Sequence, residues 1–264
     1  MTLVAVAQFA PTGDKGANLG EIERLARVAA ERGARLVVFP EYASYFVNPI
    51  DVTFADNAES LDGPFTARLR ELAADLDVVV VAGLVEQGTT TRVRNAAVAV
   101  DATGVIAVYR KQHLYDAFGQ RESAWIEPGA TGEPQTFVLD GLTFGMMTCY
   151  DLRFPEVART LADADVDVAV VPAEWVRGPL KEHHWSTLLT ARAIENTMYL
   201  AAADHPAPIG IGASAVVDPQ GVPVAQLALG TDVAVADIDP ARIAATRREN
   251  PALALRRYRV LPEA

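Results

Sequence analysis

The chain has little with which to cross-link itself or hold a metal, with one cysteine and four histidines in 264 residues. A single cysteine excludes an intrachain disulfide, and a cytoplasmic address is the expectation that follows. His183 and His184 are adjacent, so on a helix they diverge by roughly 100° and do not easily face one metal. Positive charge is also short, because 23 Lys and Arg against 34 Asp and Glu leave a formal net charge of −11. That balance argues against nucleic acid or an anionic membrane surface as the main partner. No apolar run has the length of a transmembrane helix, and the start MTLVAVAQFAPTGD lacks the basic flank and cleavage pattern of a signal peptide. Nor does a Pro/Gly/Ser-rich linker, charge block or low-complexity segment interrupt the chain, so a single domain over 1–264 is expected.

What is present is a large apolar reserve, half of all residues, arranged as alternating helical and strand patterns. Strands are expected at Leu3–Phe9, Arg35–Pro40, Val78–Leu84, Val166–Val171, Met198–Ala203, Ala213–Val217, Val222–Leu227 and Val233–Ile238, with the stretch before Pro40 reading as a strand buried on both faces. Helices are expected over Asn18–Gly33, Pro64–Asp75 and Lys181–Asn196. Asn95–Val100 and Val105–Tyr109 flank the turn Asp101-Ala-Thr-Gly104 and read as a hairpin. Helices alternating with buried strands, plus hairpins that a purely parallel sheet would not contain, indicate an α/β fold with mixed sheets. The order helix, apolar strand, Pro, Glu occurs at Gly20–Glu41 and again before Glu174, a hint of two similar halves.

The stretch GLTFGMMTCYDLRFPEVARTLADA, residues 141–164, organises the chemistry. Leu142–Thr148 reads as a buried strand, Pro155 and Glu156 suit the first turn of a helix, and Cys149 falls in the turn between them. Such a turn can expose a thiol nucleophile at a sheet edge, and the N–H of Tyr150 can donate to an oxyanion. Glu41 follows a buried strand, at the carboxyl end where α/β folds assemble their sites. The loop after it carries Tyr45, Phe46, Pro49 and Phe54, expected to form part of a pocket wall.

The segment TCYDLRFPE around Cys149 closely resembles the cysteine motif of the nitrilase superfamily, the carbon–nitrogen hydrolases. FPEY around Glu41 and YRKQHLYD around Lys111 match the family's glutamate and lysine motifs in the same order. GQRESAWIEPG resembles the stretch that carries a second glutamate, either Glu122 or Glu127. The resemblance implies a four-layer αββα sandwich with two mixed sheets and a homodimer or larger homo-oligomer. It implies catalysis by Glu41 as base, Lys111 and Cys149, with Glu122 at the substrate or at Lys111, and no metal or organic cofactor.

Within the superfamily, CYDLRFPE and the downstream ARAIEN are most similar to the omega-amidase and deaminated-glutathione amidase group, whose substrates are small carboxylate-bearing amides. Other aliphatic amides or N-carbamoyl compounds, and a pocket that binds without turnover, are the alternative readings. Arg153 stands either as a clamp on a substrate carboxylate or in a salt bridge to Asp151 or Glu156. Tyr150, Glu174 and Trp175 complete the expected substrate-binding residues.

Overall fold

The computed structural model describes residues 2–88 and 92–262. The first half of the chain forms β1 (Thr2–Gln8), α1 (Lys15–Glu31), β2 (Leu36–Val38), the short α2 (Thr53–Asn57), α3 (Pro64–Leu76), β3 (Val79–Glu86), β4 (Val93–Asp101) and β5 (Gly104–Arg110). The second half forms β6 (Ile126–Glu127), β7 (Thr136–Leu139), β8 (Leu142–Met146), α4 (Pro155–Asp163), β9 (Val168–Pro172), α5 (Lys181–Asn196) and β10 (Tyr199–Ala203). It closes with β11 (Ala215–Val217), β12 (Pro223–Gln226), β13 (Asp232–Ile238) and α6 (Pro240–Glu249).

One sheet has the order β13-β1-β2-β3-β4-β5 with β6 beside β4, and the other the order β12-β11-β10-β9-β8-β7. β1, β2 and β3 run parallel, as do β8, β9 and β10, while the flanking hairpins are antiparallel, so both sheets are mixed. Strand periodicity explains why two sheets stack. In β1, Val4 and Val6 point into the core between the sheets, while Ala5 and Ala7 point to the outer core under the helices. Leu36 and Val38 alternate with Val37 and Phe39 in the same way, and Val79 and Val81 alternate with Val80 and Ala82. A strand that is apolar on both faces must be covered twice. α1 and α3 cover one sheet, α4 and α5 the other, and the result is the αββα sandwich expected from the resemblance.

Local chemistry sets the element ends. α1 begins at Lys15, earlier than the apolar pattern indicates, because Asp14 accepts from the Ala17 N–H at 3.0 Å and caps the helix. Its buried Ile22, Leu25, Ala26 and Ala29 form one stripe at helical spacing. β2 is shorter than the expected Arg35–Pro40. It stops before Pro40, which has no N–H for a ladder, and the chain then turns across β3. Helix α6, strands β6 and β7 and the short α2 are additions to the elements expected from the sequence. Among the described residues, no helix is long and apolar enough to cross a membrane.

Gly83 in β3 permits that turn. A Cβ there would lie 2.2 Å from the Tyr42 nitrogen and 2.7 Å from the Glu41 carbonyl carbon, both backbone atoms. Ser44 N–H donates to the Gly83 carbonyl at 3.0 Å, so the crossing is also hydrogen-bonded. Gly83→Ala is therefore expected to destabilise the protein by about 1–3 kcal/mol through backbone displacement. Urea unfolding checks this, and a wild-type midpoint would contradict it.

Candidate active site

β2, β5, β8, β9 and β10 end, and β4 begins, on one edge of the paired sheets, and the residues at those ends converge. Glu41 follows β2, Lys111 follows β5, Cys149 follows β8 and Glu174 follows β9, while Asn95 lies near the start of β4. Together with Glu122, Tyr150, Arg153, Trp175 and Lys181 they line a cavity of about 270 Å³, except Asn95, which lies behind the wall.

The floor of the cavity is an ion cluster. Lys111 Nζ donates to Glu41 Oε1 at 2.9 Å and to Glu122 Oε2 at 2.9 Å, with all three residues at most 6% exposed. Asn95 Nδ2 donates to Glu41 Oε1 at 2.6 Å and to Glu122 Oε1 at 3.2 Å, joining the two carboxylates from the other side. Glu122 also accepts from the Tyr42 hydroxyl at 2.5 Å and the Tyr115 N–H at 2.6 Å. The remaining Glu41 oxygen accepts from the Glu174 N–H at 2.7 Å, and His205 Nε2 donates to the Glu41 carbonyl at 2.7 Å. His205 is neutral, since burial pushes its pKa down to about 4.

Burial opposes the charge on Lys111, but the carboxylates of Glu122 and Glu41 outweigh it and hold the ammonium well above its usual range. For Glu122 burial again works against the charge, and Lys111 overcomes it, keeping the carboxyl below its usual value. The stability supplied by that lowered value is present above the ordinary carboxylate range and is lost as pH falls through it.

Cys149 opens a tight turn, Cys149–Arg153, and takes a φ of 45°. A left-handed backbone at a non-glycine residue costs on the order of 1–2 kcal/mol and needs support from its surroundings. Asp151 supplies that support. Fully buried, it accepts from the Thr148 N–H at 3.2 Å, the Tyr109 hydroxyl at 2.8 Å and the His113 N–H at 3.0 Å, so it ties the cysteine turn to the segment around Lys111. Cys149 Sγ donates to the Glu174 carbonyl at 3.4 Å. Burial first, then the Glu41 carboxylate, push the thiol well above its ordinary pKa, while Lys111 pulls it down. The surroundings therefore favour the neutral thiol over the thiolate.

Two pairs of alternatives left open by the sequence differ in position. Glu122 meets Lys111, whereas Glu127 lies on β6 with its Oε2 3.5 Å from Arg94 Nε. Arg153 makes no salt bridge to Asp151 or Glu156 among the described residues. Its guanidinium lies 4.7 Å from the Trp175 ring centroid, Nη2 donates to His184 Nδ1 at 3.3 Å, and Nε is buried without a hydrogen-bond partner. Of the aromatic loop, Phe46 and Pro49 line the cavity, while Phe54 packs behind it against Tyr42 and Tyr45 packs against Phe54, so the expected wall is thinner than the loop. Trp175 is buried, its N–H donating to Asp204 at 2.6 Å and its indole Nε1 to the Lys181 carbonyl at 3.0 Å.

Sequence reasoning missed Asn95, Tyr42, Asp151, His205 and Lys181 as site residues. Lys181 Nζ donates to the Tyr115 hydroxyl at 2.6 Å and lies 4.1 Å from the Phe118 ring centroid. Asn95 opens the apolar run of β4 and Lys181 opens α5, but nothing in the sequence shows what either one faces.

Fold and cavity together describe an αββα sandwich with a thiol and a buried ion cluster at the sheet edge. The family profile for carbon-nitrogen hydrolase matches residues 3–248. Deaminated glutathione amidase of Escherichia coli O157:H7 is 39% identical over 257 residues, 97% of each chain. The crystal structure of the C. elegans NitFhit protein superposes with a TM-score of 0.88 at 28% identity, over 97% of this chain and 65% of that longer one. An amidase from Nesterenkonia sp. AN1, solved with acrylamide joined to its active-site cysteine by Michael addition, has a TM-score of 0.78 at 27% identity, over 97% of this chain and 100% of that one. The chain belongs to the carbon-nitrogen hydrolase family, the nitrilase superfamily, and is a hydrolase acting on carbon–nitrogen bonds, most similar to the deaminated glutathione amidase group.

Removing the cation from the cluster leaves two buried carboxylates facing each other. Lys111→Met is expected to cost about 3–5 kcal/mol at neutral pH. The loss should shrink toward pH 4.5, where the carboxylates can take up protons. Urea unfolding at both ends of that range checks it, and an equal loss at both would contradict the buried ion cluster.

Proposed function

We propose that the protein is a cysteine-dependent amidase that hydrolyses a small carboxylate-bearing amide to its acid and ammonia through a thioester at Cys149. The observation that carries this reading is the Lys111 ammonium held between Glu41 and Glu122 on the floor of the cavity that Cys149 lines. Glu41 accepts the thiol proton as Cys149 Sγ attacks the amide carbon, giving a tetrahedral intermediate. Lys111 Nζ and the Tyr150 N–H stabilise the oxyanion. Collapse breaks the C–N bond, Glu41 returns the proton to the departing nitrogen, and ammonia leaves. Water then attacks the thioester as Glu41 takes its proton, and the carboxylic acid and the free thiol are regenerated. Glu122 keeps Lys111 charged and in place throughout.

Arg153 supports a substrate carboxylate at the far end of the chain. Its Nε is buried without a partner, the Trp175 ring underlies its planar face, and a bidentate carboxylate would satisfy the open edge. A homodimer or larger homo-oligomer in the cytoplasm belongs to the same proposal. The exposed Leu255, Tyr258 and Leu261 of the tail offer apolar surface to a second copy.

Ammonia release from a panel of small amides, with and without a terminal carboxylate, tests the reading. Wild type should release ammonia only from the carboxylate-bearing members, and Cys149→Ala from none. Arg153→Ala should raise KM for those substrates at least tenfold, the loss of a charge-assisted hydrogen bond of about 1.5–3 kcal/mol. Turnover of neutral or N-carbamoyl compounds alone would discard the clamp, and activity in Cys149→Ala would discard the nucleophile.

A further inference from the structure

The amidase reading gives Arg153 a part on the cavity wall and leaves the cation beside it without one. Lys181 opens α5 and is only 4% exposed, although Glu182 and His183 after it face solvent. A lysine in that position has the wrong sign for the positive end of the helix dipole, and burying its ammonium adds a desolvation cost. The backbone nevertheless fixes it to the wall. Leu180 before it takes a left-handed φ of 60°, and the Trp175 indole N–H donates to the Lys181 carbonyl at 3.0 Å.

Aromatic rings surround the ammonium. Lys181 Nζ lies 4.1 Å from the Phe118 centroid, 4.9 Å from that of Tyr115 and 5.9 Å from that of Trp175, and it donates to the Tyr115 hydroxyl at 2.6 Å. Arg153 stands over two of the same rings, its guanidinium carbon 4.7 Å from the Trp175 centroid and 5.4 Å from that of Phe118. Both cations line the cavity that Cys149 lines, and among the described residues neither forms a salt bridge. Their side-chain hydrogen-bond partners are the Tyr115 hydroxyl for Lys181 and His184 Nδ1 for Arg153. Burial first, then Arg153, hold the Lys181 ammonium below its ordinary range, against Cys149 and Glu174, and burial pushes both of those acids toward their neutral forms. In a chain with a formal net charge of −11, two neighbouring cations without a carboxylate between them form a place for an anion.

We propose that Lys181 is a specificity-determining residue whose ammonium, together with the Arg153 guanidinium, holds one carboxylate of the amide substrate. The proposal rests on the amidase reading of the same cavity and adds a second cation to its carboxylate clamp. A planar guanidinium meets a carboxylate along one edge and leaves further lone pairs on both oxygens. The ammonium is a compact point charge, and its N–H bonds not given to Tyr115 can reach one of those oxygens from the Phe118 side. With rings in place of water around them, both contacts are strengthened. An uncharged group in the carboxylate's place would leave two cations without a counter-charge, so the corner discriminates against it.

Calorimetric binding of glutaramate, a small amide with one carboxylate, to the Cys149→Ala protein tests this without turnover. Adding Lys181→Met, whose stem still packs between the rings, should weaken binding at least about fivefold. The unliganded variant should unfold at a urea midpoint no lower than that of its parent, because an apolar side chain replaces a buried cation that had no counter-ion. Lys181→Gln, which also removes the charge, should weaken binding in the same way. A smaller loss of affinity in both variants, or no binding of glutaramate by the parent, would overturn the proposal. Weakened binding with a lowered midpoint in both variants would make Lys181 a structural residue and overturn it as well. Ammonia release by wild type judges the amidase reading separately, since the Cys149→Ala protein binds without turning over.

Discussion

Everything at this sheet edge depends on one buried ammonium. Lys111 lies between Glu41 and Glu122 with almost no access to water, and each of the three alone would be too costly to bury as an ion. Together, with Asn95, Tyr42 and the Tyr115 N–H filling the remaining lone pairs, they form a charged cluster that stays charged. In the proposed reaction that permanence holds the Glu41 carboxylate in register with Cys149 and keeps a cation beside the substrate oxygen.

The fold supplies the rigidity. Six strand ends from two facing sheets meet at the cluster, and each delivers one or two side chains. Gly83 lets the Glu41 turn lie flat on β3, and Asp151 locks the left-handed Cys149 turn to the segment carrying Lys111. Neither residue touches the cavity, yet both set the geometry inside it. A different wall of the cavity is formed by Arg153, Trp175, Glu174 and Lys181.

Glu41, Lys111 and Cys149 were legible in the sequence because each sits in a run of distinctive neighbours at the end of a strand pattern. The residues that hold them were not. Asn95 is 54 positions from Glu41, and Asp151 is 38 from His113, so their partnerships exist only after the sheets have stacked. Arg153 illustrates the same limit, since the sequence left a clamp and an ion pair with Asp151 or Glu156 equally open, and the Asp151 carboxylate is taken up by other donors. Among the elements, β6 and β7 are short and α2 has only one turn of pattern, too little for periodicity to register. Helix α6 did carry a signal, Asp239 at the cap and Pro240 in the first turn, but Ile243 is its one large apolar side chain.

The central claim is that the acyl group passes through Cys149. Rapid acid quench of the working enzyme, followed by peptide mass analysis, tests it most directly. The account predicts a transient mass increment equal to the acyl portion of the amide on the peptide that contains Cys149, decaying as acid product appears. Steady ammonia release with no adduct on that peptide, or an adduct on another residue, would contradict it.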